Sequence, residues 1–271
     1  MSNWKQTEIV SLRSGEQIEI PLNDFIGRTV YYFRDFDPKI SWICRRILRP
    51  GDTAMDIGAN IGVISIAMAG AVGPSGIVHA FEPQPNLATR LIRSAALNNF
   101  DHLHIHQIAL GAEDSALELF IPGANSGSAS LIRRNGDGEI INVLVRQGTP
   151  LLDKLDLTSI RLIKIDVEGF ENSVLTGAMD FLTRKPADAI ILEANDHTVD
   201  SSVPNFISQP VAKTLSALGY FFVEIESTMM QVRFRVIDLN KNPKAHYSHD
   251  ILAIHNGPNA REILGRLGIK H

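Results

Sequence analysis

The sequence is poor in the features that mark several large classes of protein. It has one cysteine, Cys44, in 271 residues, which excludes an intramolecular disulfide and a zinc site built from cysteines. The formal net charge is -4 without a basic stripe, so we expect no binding to nucleic acid through the phosphate backbone. No apolar run approaches the length that spans a bilayer, and the first residues show no secretory signal pattern. We therefore predict a cytoplasmic protein without membrane or nucleic-acid partners.

What the sequence does contain is an alternation of strand-like and helix-like segments. From TAMDI onwards, short apolar segments typical of buried strands alternate with segments whose apolar residues recur at helical spacing. This alternation predicts an α/β domain with a mostly parallel sheet and helices on both faces. The predicted strands are 53–57, 76–83, 103–110, 161–168, 188–195, 220–226 and 250–255.

Two regions depart from the alternation and divide the chain. Residues 1–50 are predicted to form a small extension or lid of short strands, TVYYF (29–33) among them, and a helix over 38–48. The main domain then covers 51–271 and carries an insertion at about 111–150, where ALELFI and IINVLVR predict a β-hairpin. This hairpin is interpreted either as a wall of the ligand site or as a plain surface hairpin.

The segment D-I-G-A-N-I-G (56–62) follows the first strand of the main domain, where ligands bind in sheets of this kind. Gly58 allows a sharp turn and a close ligand, Gly62 allows close packing of the next helix, and free N–H groups would attract an anion. The loop has neither the G-x-G-x-x-G spacing of dinucleotide sites nor the G-K-[ST] of phosphate loops. Asp56 instead indicates a positive group in the ligand. S-adenosylmethionine, which carries an ammonium and a carboxylate, fits both halves of the loop.

A second acid, Glu82, ends the next predicted strand in AFEP. An acid at this place is positioned to accept hydrogen bonds from both ribose hydroxyls of a nucleoside cofactor. NAD would use such an acid as well, so an NAD(P)-dependent oxidoreductase stays open as an alternative. A non-catalytic scaffold that binds S-adenosylmethionine is the other alternative.

The segments DIGANIG, AFEP and IKIDVEGFE, with Leu175 and Gly177-Ala178 after the last, resemble the FkbM family of S-adenosylmethionine-dependent methyltransferases. The resemblance covers roughly residues 48–195. It implies the class I methyltransferase fold, a Rossmann-like sheet of seven strands of which the last is antiparallel. It also implies methyl transfer to a hydroxyl oxygen of a small molecule, such as a sugar or another natural product.

The resemblance further implies which residues hold the cofactor. The DIGANIG loop would hold its methionine part, Glu82 its ribose, and the end of the third strand would lie beside its adenine. The predicted cofactor-binding residues are Asp56, Gly58, Ala59, Asn60, Gly62, Glu82, Pro83, Gln107, Ala109 and Asp166.

Methyl transfer to an alcohol requires alignment of the reactants and gains from a general base. Asp166 and Glu168 lie at the carboxyl end of the fourth predicted strand and His197 follows the fifth, so these three are the predicted catalytic residues. His197 has the most suitable ordinary pKa, although it equally fits an exposed loop histidine. Glu168 fits either a base or a buried partner that holds the Gly169 turn.

No metal is predicted at the site. The alternative is Mg²⁺ bound by Asp166 with Asn195 or Asp196, whose oxygens suit that ion. Activity that survives a chelator would remove this alternative. The oligomeric state stays open, a homo-oligomer included.

Overall fold

The computed structural model describes residues 7–123, 126–131, 137–193, 206, 209–227, 232–237 and 250–270. Its strands are β1 (Thr7–Ser11), β2 (Gln17–Pro21), β3 (Thr53–Ile57), β4 (Ile77–Phe81), β5 (Leu103–His106), β6 (Ala109–Gly111), β7 (Ser115–Pro122), β8 (Gly138–Gln147), β9 (Leu162–Ile165), β10 (Ala189–Glu193), β11 (Tyr220–Ser227), β12 (Val232–Val236) and β13 (Asp250–His255). Its helices are α1 (Phe25–Phe33), α2 (Pro38–Ile47), α3 (Val63–Val72), α4 (Pro85–Leu97), α5 (Gly148–Asp153), α6 (Glu171–Gly177), α7 (Met179–Arg184), α8 (Pro210–Ala217) and α9 (Ala260–Leu267).

In the described part of the chain, eight strands form a central sheet in the order β5-β4-β3-β9-β10-β13-β11-β12. The strands from β5 to β10 are parallel, and β13 runs antiparallel to both β10 and β11. The first seven strands of this row therefore confirm the predicted sheet and its antiparallel last strand. Strand β12, which pairs with β11, is an eighth strand that the sequence did not predict.

The sheet is covered on both faces by helices, as expected for parallel strands that read as continuous apolar runs. Alternate residues of β3 point to opposite faces: Ala54 belongs to one apolar core, with Ile66 of α3, and Met55 belongs to the other, with Phe181 of α7. Ile43 of α2 joins the first core. The N-terminal segment is thus packed into the same core as the main sheet.

The prediction of a strand over TVYYF was wrong, because these residues form the end of helix α1. The carboxylate of Asp24 caps this helix by accepting from the backbone N–H of Ile26 at 2.9 Å. Ile26 and Val30 are buried four residues apart, which is helical spacing. The cap and the buried stripe thus override the strand preference of aromatic and β-branched side chains.

The predicted third strand, 103–110, is divided between two sheets. Its first half is β5, at the edge of the central sheet, and its last residues are β6, which pairs in parallel with β8. Strands β7 and β8 form the hairpin predicted for the insertion, and the three strands make a separate sheet in the order β6-β8-β7. This small sheet stands beside the carboxyl ends of the central strands, since Ala109 and Leu119 line the cavity there.

Among the described helices, none is long and apolar enough to cross a membrane.

Candidate active site

A cavity of about 270 Å³ opens where β3, β4, β9 and β10 end. This is the edge at which sheets of this class bind ligands. The structure brings most of the predicted residues together at this cavity. Those that line it are Gly58, Ala59, Asn60, Glu82, Pro83, Ala109, Asp166 and Glu168.

A glycine is needed at position 58 because two backbone segments come too close there to leave room for a side chain. Its φ is +83°, and a Cβ at this position would lie 1.8 Å from the carbonyl oxygen of Asp166. Gly62 has φ +93° and lies behind the cavity wall, where a Cβ would lie 2.1 Å from the side chain of Leu91 in α4. The first glycine therefore joins the loop to the end of β9. The second allows the start of α3 to pack closely against α4, and close packing at the start of this helix is what the sequence indicated.

The backbone N–H groups of this loop are not free, contrary to our expectation. Those of Gly58 and Ala59 both donate to the carbonyl oxygen of Phe81, at 3.0 Å. The N–H of Asn60 donates to the carboxylate of Glu82 at 2.8 Å. The loop is consequently fixed against β4 and shapes the cavity instead of offering a ready anion site.

Asp56 does not line the cavity, although it was predicted to face a positive group of the cofactor. It is fully buried, and its Oδ2 accepts a hydrogen bond from Ser65 Oγ at 2.6 Å. Its Oδ1 lies 3.5 Å from the Nζ of Lys164 in the adjacent strand. Burial raises the pKa of Asp56 against the opposing charge of Lys164. The positive partner of Asp56 is therefore a residue of the chain itself.

Lys164 is the main site residue that sequence reasoning missed. Its Nζ lies 3.1 Å from Asp166 Oδ2 and 3.4 Å from the carbonyl oxygen of Gly58, and the residue lines the cavity. Burial acts to lower the pKa of Lys164, but the carboxylates of Asp166 and Asp56 outweigh it and raise that pKa. The sequence feature that could have identified Lys164 is its position inside an otherwise apolar strand, LIKI, since a buried lysine needs anionic partners.

Glu82 is 3% exposed and lies at the wall of the cavity. Its Oε2 accepts from Asn60 N–H and its Oε1 from Gln84 N–H, both at 2.8 Å. Burial raises the pKa of Glu82 from 4.5 to about 7, although these two hydrogen bonds oppose the rise. Each carboxylate oxygen keeps a second acceptor position, so the group suits a ligand with two neighbouring hydroxyls.

The carboxylate of Glu171 holds the loop after β9. Oε1 of Glu171 accepts from the backbone N–H of Val167 at 3.0 Å and of Gly169 at 3.3 Å. Glu168 has φ +51°, and its carbonyl oxygen accepts from Ser130 Oγ of the insertion at 3.0 Å. Glu171 thus supports the Gly169 turn and leaves Glu168 at the cavity.

Three carboxylates meet at the strand ends. Asp166, Glu168 and Glu193 each offer an oxygen, and these oxygens lie within 4.8 Å of one another. Oxygen ligands of this kind suit Mg²⁺, but Asp166 already has Lys164 as a neutralising partner. The set differs from the metal alternative drawn from the sequence, whose Asn195 and Asp196 lie outside the described residues.

Among the described residues, three predicted ones do not line the cavity: Asp56, Gly62 and Gln107. Gln107 is exposed where the chain passes from β5 to β6, because the predicted continuous strand is divided there. It does not line the cavity as a neighbour of the adenine would. His197 lies outside the described residues, so its catalytic role stays a prediction.

The N-terminal segment contributes side chains that sequence analysis did not select. Asp37 and Lys39, at the start of α2, line the cavity together with Asp250 at the start of β13. Lys39 forms an ion pair with Asp250. No motif marked these residues, because only the folded chain brings 37–39 beside the strand ends.

The sequence matches the family model described as "Methyltransferase FkbM domain" over residues 56–236. The chain belongs to the FkbM methyltransferase family. The match covers about two thirds of the chain and includes the DIGANIG loop, Glu82 and Asp166.

Individual relatives are distant. The chain is similar to "Methyltransferase 1" of Beauveria bassiana, with 28% identity over 64% of this chain and 73% of the relative. It is also similar to "31-O-demethyl-FK506 methyltransferase FkbM" of Streptomyces tacrolimicus, with 30% identity over 49% of this chain and 62% of that one. Among solved structures, the M. jannaschii protein TYW2 in complex with AdoMet covers 94% of this chain at 11% identity, with a TM-score of 0.48.

Proposed function

We propose that this methyltransferase moves the methyl group of S-adenosylmethionine to a hydroxyl of a small molecule, such as a sugar or another natural product. The observation that carries the proposal is the meeting of the Gly58 loop, Glu82 and Asp166 at one cavity. The family to which the chain belongs supports the transfer. The name of the Streptomyces relative, which specifies a 31-O position, supports an oxygen acceptor.

The residues present fit the cofactor. Glu82 is buried and already oriented by two backbone N–H groups, so its remaining acceptor positions suit the two ribose hydroxyls. Gly58, Ala59 and Asn60 form the wall on which the methionine part would lie. S-adenosylmethionine, when bound, supplies an activated methyl group.

The chain's own part in the reaction is alignment and removal of a proton. An alcohol at the cavity must approach the methyl group in line and lose its proton as the new bond forms. Asp166 and Glu168 lie at the strand ends where this would occur, and Lys164 fixes Asp166 in place at 3.1 Å. We propose these two carboxylates, with His197, as the groups that bind or deprotonate the acceptor.

The test is calorimetry with S-adenosylhomocysteine on the purified protein, with NAD as the control. We expect micromolar binding of S-adenosylhomocysteine and none of NAD. A panel of hydroxylated metabolites and sugars, incubated with S-adenosylmethionine labelled in its methyl group, then identifies the acceptor.

The other outcomes favour the two alternatives. Binding of NAD without S-adenosylhomocysteine would indicate an oxidoreductase. Transfer that is unchanged in Asp166→Ala would contradict the placement of the reaction at this carboxylate. Cofactor binding without transfer to any member of a broad panel would favour a scaffold.

A further inference from the structure

The N-terminal segment forms one side of the cavity, although the family match begins only at residue 56. Phe25 of α1, Phe36, and Asp37 and Lys39 at the start of α2 all line the cavity that holds Asp166. Nothing in the family match assigns a role to these residues. They line the same cavity as the proposed cofactor loop, so they are placed to contact an acceptor.

Asp37 directs a carboxylate into this side of the cavity. Its Oδ1 caps α2 by accepting from the N–H of Ile40 at 3.3 Å, and its Oδ2 is 3.9 Å from Lys39 Nζ. The charges of Lys164 and Asp250 also act on it, so it lies near the carboxylates of the strand ends. Burial raises the pKa of Asp37 to about 6, which suits a group that accepts a proton near neutral pH.

An aromatic wall stands next to Asp37. The rings of Phe25 and Phe36 meet edge to face with centroids 6.5 Å apart, and these residues are 51% and 40% exposed. Phe170 and Leu119 line the same cavity. Large apolar side chains left exposed in a cavity indicate a ligand with an apolar body.

The cavity is also lined by more acidic than basic side chains. Its lining, within the described residues, includes six carboxylates and two lysines. Such an excess repels phosphorylated or carboxylated molecules and admits neutral or cationic ones. The acids are Asp37, Glu82, Asp166, Glu168, Glu193 and Asp250, and the lysines are Lys39 and Lys164.

We propose that the N-terminal segment is the acceptor subsite: the acceptor's hydroxyl binds Asp37, and its apolar body packs on Phe25 and Phe36. The acceptor is then a neutral or amine-bearing alcohol, not a phosphorylated or carboxylated one. This inference rests on the proposed methyl transfer.

In the transfer, the hydroxyl oxygen bonds to the methyl carbon and the carbon–sulfur bond breaks with its electron pair going to sulfur. Asp37 joins Asp166 and Glu168 as a carboxylate of the cavity that can take the hydroxyl proton, which then passes to solvent.

The decisive test needs no known acceptor. Sinefungin is an analogue of S-adenosylmethionine that carries an amine in place of the sulfonium methyl, whereas S-adenosylhomocysteine has no group there. Because a carboxylate near that amine attracts it, Asp37→Asn should weaken sinefungin binding about five- to tenfold. Binding of S-adenosylhomocysteine should change less than about twofold, since asparagine still caps α2. Both affinities are measured by calorimetry.

The matched control is Asp35→Asn. Asp35 lies two residues earlier, and its Oδ1 accepts from Phe36 N–H and Ser41 Oγ. This variant should leave both affinities unchanged. An equal loss of both ligands in Asp37→Asn, or no loss of either, would overturn the inference. If the wild-type protein bound neither ligand, the proposed function itself would fail, so the two failures are distinguishable.

The charge preference is tested with the panel of hydroxylated acceptors and labelled S-adenosylmethionine described for the proposed function. The members that accept the methyl group should be neutral or amine-bearing. Transfer confined to phosphorylated or carboxylated members would overturn the preference.

Discussion

The two ends of the central sheet both collect charged side chains, but they balance them differently. At the amino ends, Arg161 is 6% exposed and pairs with Asp188 at 3.1 Å, with Asp52 at 3.8 Å and with Glu262. Glu262 also contacts Arg49, so acids and arginines nearly match there. At the carboxyl ends, six carboxylates of the described residues share two lysines around the cavity.

The difference separates stability from function. A buried arginine surrounded by carboxylates is satisfied, and removing it leaves uncompensated charges behind. At the carboxyl ends of the strands, acidic residues outnumber basic ones. Glu82, whose pKa is raised to about 7, lies in the cavity there, and a ligand can supply the hydrogen-bond donors or positive charge that the chain lacks. Changes at one end should therefore alter the free energy of unfolding, and changes at the other should alter ligand affinity.

The largest effect is expected for Gly58→Val, at the functional end. A side chain there collides with the carbonyl of Asp166 and displaces the loop from the end of β9. Affinity for S-adenosylhomocysteine should fall more than about a thousandfold, roughly 4 kcal/mol, by calorimetry. The control is Gly268→Ala, with φ +73° and nothing within 4 Å, which should cost about 1 kcal/mol of stability and no affinity. Near-wild-type affinity in Gly58→Val would refute the loop assignment.

At the balanced end, Arg161→Met should lower the free energy of unfolding by about 3–5 kcal/mol, because Asp188 and Glu262 lose their buried partner. Denaturant titration measures this loss. Arg184→Met, which breaks a pair with Asp153 that is largely open to solvent, should leave the free energy of unfolding nearly unchanged. Similar losses in the two variants would contradict the distinction between the balanced end and the surface.

Glu82→Ala should weaken S-adenosylhomocysteine binding by about 1–3 kcal/mol, the range for lost hydrogen bonds to a charged group. Glu19→Ala is the matched control, since Glu19 is also buried but pairs with Arg90 away from the cavity. Its removal should leave the affinity unchanged. Equal affinities in all three proteins would argue against the ribose role of Glu82.

The smallest effect is a dependence of affinity on pH. The pKa of Glu82 is raised to about 7 in the ligand-free protein, so the carboxyl is largely protonated at pH 6 and ionised at pH 8. Hydroxyl donors prefer the ionised form, so binding should be about tenfold tighter at pH 8 than at pH 6. Calorimetry at the two pH values measures this ratio. Glu82→Gln should remove the difference, whereas tighter binding at pH 6 would contradict the assignment.

The sequence by itself determined the elements whose signals are local. Strand β3 was predicted with its observed bounds, and the glycines and acids of DIGANIG and AFEP were correctly placed at strand ends. Apolar periodicity and turn residues are set by neighbours along the chain, so they can be read without the fold. The same reading failed at 29–33, where the cap by Asp24 and the burial of Ile26 and Val30 made a helix preferable.

Only the tertiary structure decided how side chains from distant segments are paired. In the folded chain, Asp56 pairs with Lys164 and Glu171 supports the Gly169 turn. Asp37 lies beside the strand ends. Each of these depends on contacts between residues far apart in sequence or on a loop's φ angles. A charged residue in a buried strand indicates that a partner of opposite charge is needed. Which residue becomes that partner is determined by the register of the sheet.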